Sequence, residues 1–156
     1  MAERIPDGKL TLQHKPYVIE VNDDGETIEI DTLDLEFPLK FAKCYEKIRK
    51  IEKEAETQRD LIAKKTDKKK DGALFSNNEI ETFRMMNGKY DEMRGALDTL
   101  FGEGASMKIF GKRNWTTMFH EFFDAISPHL IKCGQSDEQL YAAIEAKYAD
   151  AESNEL

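Results

Sequence analysis

The run His120-Glu121-Phe122-Phe123-Asp124 comes nearer than most of the chain to a reactive pattern. A zinc-protease helix carries a second histidine one turn after the first, so that both imidazoles reach one metal. Here Asp124 stands in that place. A His and an Asp four residues apart supply two ligands, and a site needs at least three. His129 and Cys133 repeat the spacing, but Pro128 interrupts the alignment with His120. No metal site is expected. His120, Glu121 and Asp124 are expected to face water at the edge of an aromatic stripe.

Other chemistries fare no better. Gly104 to Lys112 superficially resembles a phosphate loop, which needs four residues between its outer glycines and then Lys followed by Ser or Thr. Six residues separate Gly104 from Gly111, and Arg113 replaces the hydroxyl. No Ser, Thr or Cys has an evident base and orienting partner. Three histidines without a pattern do not make an acid-base pair. The expectation is a protein that is not an enzyme and uses no cofactor.

The totals narrow the class further. A chain of 156 residues reads as one domain with room for a core. Its net charge is −8, and Glu20 to Glu36 alone holds eight acids and no base. The remainder is near neutral, which argues against a nucleic-acid partner, whose phosphates reward Lys and Arg. The basic run Lys64, Lys65, Lys68, Lys69 and Lys70 has no interleaved aromatics and reads as a solvated loop. No apolar run is long enough to span a membrane, so no membrane partner is expected. The start MAERIPDGKL lacks the layout of a secretory signal. Cys44 and Cys133 then read as buried free thiols in a reducing cytoplasm.

The elements that position these residues follow from periodicity. Residues 1–15 read as a flexible arm. Tyr17, Ile19, Val21 and then Ile28, Ile30 alternate with polar neighbours around Asp24-Gly25, predicting a β-hairpin over 17–31. Its outer face is acidic, which suits a strand edge that repels its own kind. Pro38 opens a long helix over about 38–65, with Phe41, Cys44, Ile48, Ile51, Ala55 and Ile62 on one stripe. Ser76 with Glu79 forms a capping box for a helix over 76–101, whose stripe is Ile80, Phe83, Met86, Tyr90, Met93, Leu97 and Leu100. Ala105 to Phe110 reads as a short turn of helix. Asn114 is placed to cap a helix over 114–126, and Ser127-Pro128 to break it. A last helix spans about 137–149 with Leu140, Tyr141, Ile144 and Tyr148 apolar, and 151–156 fray. The predicted fold is mainly α with a small N-terminal β-hairpin (α+β). A long antiparallel helical hairpin is followed by shorter C-terminal helices, all in a single domain over 16–150.

The aromatic and glycine-rich stretch from Phe101 to Ile126 carries a family resemblance. Phe101, Gly102, Glu103, Gly104, Lys108, Ile109, Phe110, Gly111 and Asn114 resemble a motif of small tailed-phage and prophage proteins. These look like tail assembly chaperones of long-tailed phages, a family without an established activity. The resemblance implies a protein of the bacterial host cytoplasm that reversibly binds the tape-measure or another tail protein. Met85, Met86, Met93, Met107 and Met118 lie near the aromatics, and flexible thioethers suit varied apolar partners. The expected partner-binding residues are Met86, Tyr90, Met93, Leu97, Phe110, Trp115, Met118 and Phe119. The same surface would allow a homo-oligomer. Two alternatives remain open: a structural virion protein of the tail or neck, and an acidic prophage regulator or decoy acting through Glu20 to Glu36.

Overall fold

The computed structural model describes the backbone of residues 2–154 and, beyond Gln139, the side chains of 142–146 and 149. Residues 2–15 form neither helix nor strand. His14 ties their end to the body, 2.8 Å from the Asp31 carboxylate. Two strands follow, β1 (Tyr17–Glu20) and β2 (Thr27–Ile30). They pair antiparallel with Tyr17 opposite Ile30 and Glu20 opposite Thr27. Gly25 turns the chain at φ +78°, and Asn22 stitches the turn by accepting from the Asp24 and Glu26 amides. The period of two puts Ile28 and Ile30 inside and leaves Val18, Glu20 and Glu29 outside.

Helix α1 (Phe37–Ala63) starts with Pro38 in its first turn and buries Cys44, Ile48, Ile51, Ala55 and Ile62, with Phe41 of the predicted stripe half-buried. Helix α2 (Asn77–Phe101) opens on Ser76, whose hydroxyl accepts from the Glu79 amide at 3.2 Å. It closes at Gly102 with φ +109°. The two run antiparallel. Lys65 meets Glu81, Lys89 meets Glu54, and the Cys44 thiol reaches the Ala96 carbonyl. Helix α3 (Ala105–Phe110) is the short turn between Gly104 and Gly111.

The C-terminal part differs from the sequence expectation. Helix α4 (Met118–Asn154) is one continuous helix of 37 residues in place of two shorter ones. Pro128 lies inside it and removes one backbone donor, while the Ser127 hydroxyl caps the Phe123 carbonyl at 2.7 Å. The loss is offset because a single stripe of Phe119, Phe122, Ile126, Cys133 and Asp137 is buried across the proline. Within the helix the Ser136 hydroxyl donates back to the Lys132 carbonyl. The helix also starts four residues later than expected, because Asn114 is occupied elsewhere. Residues 151–154 are helical, and 155–156 lie outside the described residues. So do the side chains of Leu140, Tyr141 and Tyr148 from the expected last stripe, while Ile144 is exposed.

The layers now follow. α1 and α2 form the base, and the first half of α4 packs across it. Phe123 meets Phe41 and Tyr45 edge-on, Phe119 meets Tyr90, and Phe122 meets Phe101. The β-hairpin closes the same end. Buried Asp137 on α4 accepts from the Tyr17 and Thr32 hydroxyls, and Asn22 donates to the Lys108 carbonyl of α3. No described helix is long and apolar enough to cross a membrane.

Candidate partner-binding site

α4 roofs only half of the α1–α2 hairpin. Its first turn meets α2 at Tyr90, and from there it runs toward the β-hairpin end. The apolar stripe of α2 therefore changes character along its length. Met93 and Leu97 are buried, Met86 and Tyr90 are half-buried, and Ile80 and Phe83 are exposed, Phe83 to 53%. The uncovered half carries a cleft of about 450 Å³ lined by Phe83, Met86, Tyr90, Trp115 and Asn114, with Arg59 at its edge. A smaller hollow of about 220 Å³ adjoins it, sharing Met86, Tyr90 and Arg59 and rimmed by Glu52, Glu56 and His120. The Tyr90 hydroxyl donates to the Thr116 carbonyl at 2.8 Å, and burial raises its pKa above the ordinary tyrosine range. That bond holds the ring as a fixed wall.

Trp115 stands between this cleft and a second one. Its ring packs edge-on against Phe110 at 5.6 Å, its indole N–H donates to Glu121 at 2.5 Å, and 40% of it is exposed. The second cleft, about 300 Å³, lies between β-hairpin and α4 and is lined by Ile19, Val21, Phe110, Trp115 and Phe122, with Glu121 and His129 at its polar edge.

Of the eight expected contact residues, Met93, Leu97, Met118 and Phe119 are at most 3% exposed and serve the chain's own core. Met86, Tyr90, Phe110 and Trp115 reach the two clefts. Phe83 joins them, and its place on the same stripe was the signal for it.

The residue that sequence reasoning missed is Arg94. It is 8% exposed, and its guanidinium is the hub of the glycine-rich segment. Nη1 donates to the Gly111 carbonyl and Nη2 to that of Arg113, both at 2.7 Å, and Nε donates to Asn114 Oδ1 at 2.7 Å. The cation also sits 5.5 Å from the Phe110 ring centre. Asn114 in turn donates to Asn87 and Asp91, which is why it does not cap a helix. Asp98 accepts from the Ser106 amide at 2.7 Å. Burial pulls the Arg94 pKa down, and the nearby Asp91 and Asp98 carboxylates push it back up. Phe101 to Asn114 is thus a clamp that positions Phe110 and Trp115.

The profile of a family of unknown function, DUF6673, matches residues 24–155, from the hairpin turn through nearly the whole remaining chain. The chain belongs to the DUF6673 family. No curated protein and no solved structure matches it. In this DUF6673 chain the clamp and the first cleft fall within the matched span, while Ile19 and Val21 of the second cleft precede it.

The groups that the sequence raised for chemistry are scattered. His120, Glu121, Asp124 and His129 are exposed, with Glu121 engaged by Trp115. Among the described residues no group of three or more His, Cys, Asp or Glu side chains is gathered closely enough to hold a metal ion. Cys44 and Cys133 are free and buried. Burial pushes the Cys44 thiol up to about 11 and raises Cys133 as well, so neither favours the thiolate that nucleophilic chemistry needs.

Proposed function

We propose that this DUF6673 protein acts by binding another polypeptide reversibly, without catalysis. Its client would be the tape-measure protein of a tailed phage, held during tail assembly. The observation that carries the reading is the uncovered half of α2. Phe83, Met86, Tyr90 and Trp115 form an apolar, partly open trough with charged edges at Arg59 and Glu56. An amphipathic helix buries its stripe in such a trough through side chains three and four residues apart. A flexible thioether at the floor tolerates a client whose sequence varies along its length. The tail-chaperone assignment itself rests on the resemblance of Phe101 to Asn114.

The test is co-expression of the full chain with a tailed-phage tape-measure protein. The client is expected to stay soluble with the wild-type chain. It is expected to precipitate with a chain carrying Phe83→Gln and Met86→Gln, whose helical circular dichroism is unchanged. Equal precipitation with and without the wild-type chain would sink the reading. Stoichiometric presence in purified tails would instead favour a structural virion role.

A further inference from the structure

We propose that the chain binds a second copy of itself head to tail, the loop end of the helical hairpin of one copy docking on the β-hairpin face of the next. At the loop end an apolar patch has no cover. Leu61, Leu74 and Phe75 are exposed, Leu74 to 85%, and Phe75 packs edge-on against Phe83. Lys68, Lys69 and Lys70 stand beside this patch, and none makes an ion pair among the described residues. The loop that presents them is built rather than slack. Asp67 accepts from the Lys68 and Asn78 amides, Asn77 donates to the Lys68 carbonyl, and Asn78 donates to the Ile62 and Lys65 carbonyls.

The other end carries the opposite sign. Val18 is exposed on the outer face of the β-hairpin, opposite Glu29 in the register and beside Glu20. Asp23 and Asp24 sit at the turn that follows. Asn22 ties the turn to the Lys108 carbonyl of α3, and Glu20, Asp23, Asp24, Glu26 and Glu29 are exposed.

α1 has 27 residues and is about 40 Å long, and the lysine loop follows its C-terminal end. Within one copy these lysines meet none of the hairpin carboxylates among the described ion pairs, and a neighbour can supply them. Each end pairs exposed apolar side chains with charge, and the charges are complementary. That arrangement favours contact between unlike ends, made twice in a closed antiparallel pair or repeated around a ring or along a filament. Like ends repel, so a two-fold dimer through either end is disfavoured.

Sedimentation velocity on the purified full chain tests this. The wild-type chain is expected to form concentration-dependent oligomers that dissociate when salt is raised to about 1 M, where the screening length falls to about 3 Å. Two charge-reversal variants, K68E/K69E/K70E and D23K/D24K/E29K, are each expected to be monomeric with wild-type circular dichroism. Mixing the two should restore a complex, because each then offers the end the other lacks. A monomeric wild type, variants that oligomerise like the wild type, or a mixture that stays monomeric would each overturn the proposal. None of these substitutions touches Met86, Tyr90 or Trp115, so client binding is read separately.

Discussion

Phe101 to Asn114 and the α2 face from Ile80 to Tyr90 both place large side chains on a short stretch of chain, and the fold uses them in opposite ways. In the first, inward bonds fix the backbone. Arg94 spans three carbonyls and Asn114, Asp98 takes the Ser106 amide, and Phe110 lies against Trp115, Phe119 and Phe122. In the second, the side chains are anchored on a regular helix and meet little above them. A segment that looks unusual in composition is here spent on shaping the molecule. A segment that looks like any amphipathic helix is the one left uncovered.

The comparison breaks first at Arg94. Arg94→Met removes the donor fork while leaving the Gly111 and Arg113 carbonyls and Asn114 without their partner. Stranding a buried neutral acceptor costs about 1–3 kcal/mol per group, so the loss is expected to exceed that of any single bond. Chemical denaturation should show that loss. Arg94→Lys should rescue little, because an ammonium cannot span three carbonyls in a plane. A loss under about 1 kcal/mol would mean that the clamp is ornamental, since surface substitutions commonly fall within that range.

A smaller effect is expected at Gly104, which opens α3 at φ +85° and ψ −1°. A Cβ built there meets no atom within 4 Å, so Gly104→Ala isolates the backbone cost from any clash. That cost is about 1–2 kcal/mol for a left-handed residue with a side chain. Thermal unfolding should register it, and an unchanged midpoint would show that the loop can relax into another turn.

Much of this was legible in the sequence. The alternation around Asp24-Gly25, the stripe of α1 and the Ser76 cap each rest on a local rule, and local rules leave local traces. Arg94 left only a faint one, because most of its partners are main-chain carbonyls and a lone cation beside Met93 reads as a solvated face. A cue existed in its position, between Met93 and Leu97 on a stripe that was itself expected to be buried. The continuity of α4 through Pro128 was hidden for a different reason. It depends on burial of Phe122, Ile126 and Cys133 against elements far away in the chain, which outweighs one lost hydrogen bond. The candidate site was half legible. The α2 stripe was evident, but which half stays open depends on α4 first meeting α2 at Tyr90, and no residue of α2 encodes that.

The smallest expected effect sharpens the comparison most. Phe83→Gln replaces an exposed ring by a better helix former. It forfeits the edge contact with Phe75 at 5.7 Å. The two terms nearly cancel, so stability should move by no more than about 0.5 kcal/mol. If the ring were part of the working core, as Leu97 is, truncation would cost several times that. A near-zero change in the unfolding midpoint, set beside the large loss at Arg94, would mean that Phe83 is kept on the surface without any benefit to the fold. A large loss would place the ring among the chain's own structural contacts and remove it from the candidate binding surface.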